Sequence, residues 1–326
     1  MKTLPTILRC ALPILALALT GCQTLQNTQP QPPKTQAHAQ PAPAPQPPEP
    51  QTASIRVEPF DQQTADGPIR GYLAWIDLTD PALDVFVTSP LPDNHPGNPA
   101  AEATNIPTNQ WAIDHNAILA VNANFYGFLP EGGTNLIGLS LSDGNIVSPP
   151  RTTHAGPDPA IAFTPDNTPK VGRIGPDDLP RFEDAVAGVG GSETAADQLG
   201  TLLVEDGLNT GLTARVQPTR RHPRTAAGID ANAKTLILAV IDGRREGWSI
   251  GVTLPELADI MLEAGAHAAI NLDGGGSSSF YFDRAAWTGS KEPPITNLPS
   301  DAKGWRPVAN HLGIRIRTNQ TEGGGP

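Results

Sequence analysis

Prolines and glycines, 36 and 32 of them in 326 residues, cut this chain into short apolar runs. A chain punctuated in this way builds strands and turns, because proline lacks a backbone donor and glycine marks breaks in regular structure. Ile69 to Leu78 and Asp84 to Ser89 read as strands of a hairpin, and Ile118 to Tyr126 as a buried strand after a short helical segment around Trp111. Asp143-Gly144 between two apolar runs is a hairpin signal. TLLVEDG, ARVQP and TLILAVIDGR supply further strand candidates. One helix is explicit: Thr253 caps it, Glu256 completes a capping box, Pro255 fits the first turn and Gly265 stops it. The strand, helix, strand order from Leu236 to Leu272 predicts a βαβ unit with neighbouring parallel strands. The expected class is α+β: a mixed, mostly antiparallel sheet with one βαβ unit and few helices.

The first 22 residues read as an address. Lys2 and Arg9 precede an apolar run, Cys10 to Leu19, too short to span a bilayer. The run ends in Leu19-Thr20-Gly21-Cys22, a lipobox pattern that predicts lipidation of Cys22, and Gln23 after it suggests the outer membrane. The chain has 2 cysteines, and Cys10 would leave with the leader, so no internal disulfide is expected. Residues 23–51 collapse to Pro, Gln, Ala and Thr, a spacer composition that favours extended polyproline II over a core. The expected organisation is therefore a leader over 1–22, a linker over 23–51, a folded domain over 52–318 and a tail over 319–326. A formal net charge of -11 argues against nucleic acid as a partner.

The densest chemical signal is Asn271-Leu272-Asp273-Gly274-Gly275-Gly276-Ser277-Ser278-Ser279. A strand ending in a carboxylate, then three glycines, lets backbone approach a ligand and lets exposed amides form an anion nest. No lysine follows, so it is not a P-loop. Asp242 and Arg244 end the strand before the helix, placing Asp242 at the same sheet edge as Asp273 if the βαβ reading holds. Arg220, Arg221 and Arg224 in RRHPRTAAG offer forked donors for phosphate, and Asn122 and Asn124 offer amides for sugar hydroxyls. His95, His115, His154, His267 and His311 show no metal spacing.

NANFY, AVAGVGGSETAADQLGTLLVEDG, HPRTAAG, VIDGR, TLPELADIMLEAGAHAAINLDGGGSSSF and TNLPSDAKGWRPVANHLGIRI resemble, in order and style, the phosphodiester glycosidase family over roughly Ala120 to Ile316. The resemblance implies an enzyme that hydrolyses the bond between a sugar's anomeric carbon and a phosphodiester oxygen, with a phosphodiester-linked glycan or sugar phosphate as partner. It maps a polar pattern onto Asn122, Arg224, Asp242, Asp273, Gly274, Gly275, Gly276, Ser277, Asn297, Arg306 and Asn310. Asp273 is expected as nucleophile or base with Asp242 as its partner, Arg224 and Arg306 on phosphate, and Asn122 on sugar. The family often has Glu before its final arginine, whereas this chain reads Gly304-Trp305-Arg306. The residues do not settle a metal requirement: Asp273 and Asp242 could hold Ca²⁺ or Mg²⁺ with phosphate completing the shell. Two rivals stand beside this reading: a metal-assisted phosphodiesterase, and an inactive glycan- or envelope-binding module of the same fold.

Overall fold

In a computed structural model, residues 54–93, 95–153, 156–188, 202–214 and 216–317 are described. The readings of the leader, Cys22, the Pro-rich linker, the tail and the middle of the AVAGVGGSETAADQLG stretch lie outside them.

Three antiparallel sheets carry the domain. The first has seven strands in the order β1 (Ile55–Thr64), β2 (Gly67–Asp77), β17 (Thr235–Ile241), β16 (Arg224–Ile229), β18 (Ala268–Asn271), β14 (Val204–Glu205) and β15 (Leu208–Asn209). The second runs β20 (Ile295–Thr296), β19 (Phe280–Phe282), β4 (Leu119–Asn122), β21 (His311–Ile316) and β3 (Leu83–Val87). The third runs β12 (Pro169–Arg173), β11 (Pro159–Phe163), β13 (Asp184–Ala187), β7 (Ser140–Ser142) and β8 (Asn145–Ser148). Two small ribbons, β5 (Tyr126–Phe128) with β6 (Thr134–Leu136) and β9 (Thr152–Thr153) with β10 (Gly156–Pro157), complete the strands. The described α-helices are α1 (Thr108–Asp114), α2 (Leu254–Glu263) and α3 (Arg284–Thr288). None is long and apolar enough to cross a membrane.

Alternation on the strands builds the layers. On β17, Leu236, Leu238 and Val240 face a core shared with Leu119, Val121, Leu312 and Ile314 of the second sheet. Ile237, Ala239 and Ile241, on the opposite face, pack against Leu257, Ala258 and Met261 of α2. The third sheet repeats the device, with Ile161 and Phe163 turned to the shared core and Ala160 and Ala162 to a smaller one. Because the side-chain period is two, each strand serves both layers at once. Burying each Leu or Ile contributes about 2 kcal/mol.

Several expectations resolve into particulars. Asp143 and Gly144 adopt φ 48° and 75° between β7 and β8, the paired left-handed geometry of a tight hairpin. Thr253 and Glu256 close the capping box of α2, and Gly265 (φ 98°) follows its end. The βαβ unit exists in split form. β17 and β18 run in the same direction, but β16 lies between them, antiparallel to both. Every described ladder is antiparallel, so the predicted neighbouring parallel pair is not formed. Nor do Ile69–Leu78 and Asp84–Ser89 form a hairpin: β2 pairs with β1 and β17, while β3 pairs with β21.

Candidate active site

The glycine turn joins two sheets. β18 belongs to the first and β19 to the second, so Leu272 to Ser279 is a crossover and not a tight hairpin. Asn122, at the end of β4, staples it. Its amide donates to the Asp273 carbonyl (2.7 Å), and its Oδ1 accepts from the Ser279 amide (3.1 Å) and the Thr225 hydroxyl (2.7 Å). The Asp273 amide donates to Ala123 (2.9 Å). The carboxylate therefore stands on backbone fixed from both sheets.

A cleft of about 140 Å³ opens over this point, lined by Asp273, Gly274, Gly275, Arg224, Arg244, His222, Gln217, Val216 and Phe125. Burial pushes the Asp273 pKa up to about 6, against the opposing pull of the Ser277 hydroxyl, the Gly274 amide and Arg306. Arg244 has a left-handed backbone (φ 58°) unusual for a side chain of its size, and reaches His222 Nδ1 with Nη2 at 3.0 Å. Since a guanidinium only donates, His222 Nδ1 is the acceptor and its Nε2–H faces Gln217 Oε1 (2.5 Å). Burial, then the charges of Arg224, Arg244 and Arg220, lower the His222 pKa to about 4, so the ring is neutral near pH 7. Among the described residues, Arg244 forms no ion pair with a carboxylate, which leaves its charge for an anion in the cleft. Neither Arg244 nor His222 was assigned a site role from sequence. The Arg244–His222 contact spans 22 positions and carries no local signature.

The other expected residues serve the frame. Arg224 lines the cleft but is 2% exposed, and four of its five N–H groups go to carbonyls of Val216, Gln217, Arg220 and Val252. It clamps the loop that forms one cleft wall. Asp242, 1% exposed, accepts from Asn297 Nδ2 (2.9 Å), Trp248 Nε1 (2.8 Å) and the Leu298 amide (3.2 Å). It is not among the residues that line the cleft with Asp273. Asn297 links Asp242 to the Ser278 carbonyl and the Phe280 amide. Asn310 bonds Asn124, Ser140 and the His311 amide in the interior. Asn122 is likewise fully buried, its amide spent on the turn that carries Asp273.

The anion nest expected of the glycines is also not open. The Gly274 amide caps Asp273's own Oδ1 (2.8 Å), and those of Gly275, Ser277 and Ser278 bond Pro223, Gly274 and Gly275 carbonyls. Most of the turn's amides are thus already engaged, and the charges available to an anion are on side chains. Arg306 presses on Gly276, where any Cβ would collide with its guanidinium. It is held by a fork to Asp301 (2.9 and 3.3 Å), which supplies the carboxylate that the neighbouring Trp305 position lacks.

The model of the phosphodiester glycosidase family matches residues 115–315, a span that includes every cleft residue named above. This chain belongs to that family. Its fold is similar to that of the zebrafish N-acetylglucosamine-1-phosphodiester alpha-N-acetylglucosaminidase catalytic domain, solved in a form auto-inhibited by its pro-peptide. The two share 21% identity over 81% of this chain and 83% of that one, with a TM-score of 0.56. A hypothetical protein from Synechocystis is similar over 81% of this chain and 62% of its own, at 18% identity and a TM-score of 0.52. No curated protein matches the chain. The phosphodiester glycosidase domain thus brings one desolvated carboxyl, two arginines that form no ion pair among the described residues and one neutral histidine to a single cleft.

Proposed function

We propose that this chain hydrolyses sugar 1-phosphodiesters at the anomeric carbon–oxygen bond. The observation that carries this reading is Asp273 in the same cleft as Arg244. A glycosidase commonly needs a second carboxyl to protonate its leaving group. A phosphate already leaves well, and a cation that neutralises it takes over most of that work. The absence of Asp242 from the cleft is therefore compatible with the reaction. In it, Asp273 attacks the anomeric carbon or takes a proton from the attacking water. The carbon–oxygen bond breaks with its electron pair moving to the phosphate beside Arg244, and water supplies the new hydroxyl on the sugar. His222, neutral and accepting from Arg244, fixes the direction of that guanidinium.

The zebrafish relative's substrate makes an N-acetylglucosamine 1-phosphodiester the first compound to test. Release of free sugar by the wild type, competitively inhibited by inorganic phosphate, supports the reading. Arg244→Gln should weaken that inhibition and reduce turnover by about a hundredfold. Full turnover in Arg244→Gln would remove the arginine from the phosphate seat. The lipobox and the Pro-rich stretch further support an envelope enzyme anchored through Cys22 and facing the periplasm from the outer membrane.

A further inference from the structure

Beyond the cleft that holds Arg244, Asp273 also neighbours Ser277 and Arg306, and that side has been given no role. Successive glycines of the turn lie against different arginines: a Cβ on Gly274 would come within 3.7 Å of Arg224, one on Gly275 within 3.1 Å of Arg244, and one on Gly276 would strike Arg306. The first two guanidiniums line the cleft and form no ion pairs among the described residues. The third is matched by Asp301 and so suits a neutral neighbour better than an anion.

Two hydroxyls stand beside it. Ser277 is 1% exposed, and its Oγ lacks a hydrogen-bond partner although Asp273 and Tyr126 are near enough to feel it. A buried hydroxyl without a partner is costly, and a ligand oxygen that completes it is favoured. The Tyr126 hydroxyl donates a long bond to the Pro307 carbonyl (3.3 Å), and its phenol lies within the influence of Ser277, Asp273, Arg306 and Asn105. Its ring meets Phe128 edge-on at 5.7 Å, and Phe128 is 75% exposed. Donors aimed at oxygen, with an aromatic surface alongside, match a ring that is polar at its edge and apolar on its face.

We propose that Tyr126 and Ser277 hold the sugar, so that the substrate lies across Asp273 with its phosphate on Arg244 and its ring hydroxyls on these two residues. The assignment rests on the hydrolysis reading above for the identity of the ligand. It also moves Arg306 from the phosphate side, where sequence placed it, to the sugar side.

The test uses full-length protein and its Tyr126→Phe, Ser277→Ala and double variants, titrated with inorganic phosphate and with a panel of hexose and N-acetylhexosamine 1-phosphates. The wild type should prefer at least one sugar 1-phosphate over phosphate by about tenfold or more, the gain expected from two hydrogen bonds. The double variant should lose that preference while its phosphate affinity stays within about threefold, and Arg244→Gln should weaken both ligands alike. Ser277→Ala should stay folded and melt within a few degrees of wild type, since one hydroxyl is removed and the backbone bonds of the turn remain. A preference retained in the double variant, a parallel loss of phosphate binding, or no preference in the wild type would overturn the assignment. Sugar preference that behaves as stated in a protein unable to hydrolyse any sugar 1-phosphodiester would refute the hydrolysis reading alone.

Discussion

Asp273 combines two properties that separate chemistry from architecture: a carboxyl raised to about pH 6 and a backbone held by Asn122 and Ala123. Asp273→Asn keeps the backbone bonds and an oxygen for the Gly274 amide. Its turnover should fall by at least roughly a thousandfold, because an amide cannot attack carbon or take a proton from water. Stability should move the other way. A carboxyl whose folded pKa is raised favours the fold when protonated, and that contribution disappears as pH rises from 4 through about 6. The Asn variant should therefore melt like wild type near pH 4 and above it at pH 8, and thermal scans at both values check this. In the wild type, kcat/KM should rise with pH through about 6, since the working carboxylate must be ionised. Asp273 was legible in sequence because a strand, a carboxylate and three glycines are contiguous. His222 and Tyr126 were not, since each gains its meaning from partners at Arg244 or Ser277 that only the fold brings near.

The elements around the cleft are held by buried charges that sequence reading gave to catalysis. Asp242 gathers Trp248, Asn297 and Leu298, and Arg224 gathers the 216–220 segment. Asp242→Asn would turn an amide donor toward N–H groups, and Arg224→Gln would leave buried carbonyls without donors. Each should cost roughly 2–4 kcal/mol. Loss of activity in both should follow loss of fold, read as a lowered urea midpoint on the same preparations. Unchanged midpoints with lost turnover would return both residues to the chemistry. The signals that sequence carried well here are local: the capping box of α2 and the Asp143-Gly144 hairpin involve neighbours in the chain. The order of strands is not local. Nothing in the run from Leu236 to Leu272 shows that β16, which precedes it, inserts between β17 and β18. The same insertion explains why Asp242 and Asp273 look like an adjacent pair in sequence and are used differently in the fold.

At the scale of the whole molecule, the domain places its cleft where one sheet hands the chain to another, a position supported by backbone from both. The proposed anchor is tested separately. Cys22→Ser removes the thiol that lipid would occupy, so the variant should leave the lipoprotein membrane fraction and retain turnover in the soluble one. Unchanged membrane partition of Cys22→Ser would contradict the anchor without touching the enzyme. The central claim concerns which bond breaks. A sugar 1-phosphodiester has two candidate bonds on either side of the bridging oxygen, and the proposed reaction is attack at carbon by or through Asp273. Hydrolysis in water enriched in ¹⁸O, followed by mass spectrometry of both products, distinguishes them directly. The account predicts label in the sugar's anomeric hydroxyl and none in the phosphate; label in the phosphate would contradict it and establish phosphorus–oxygen cleavage instead.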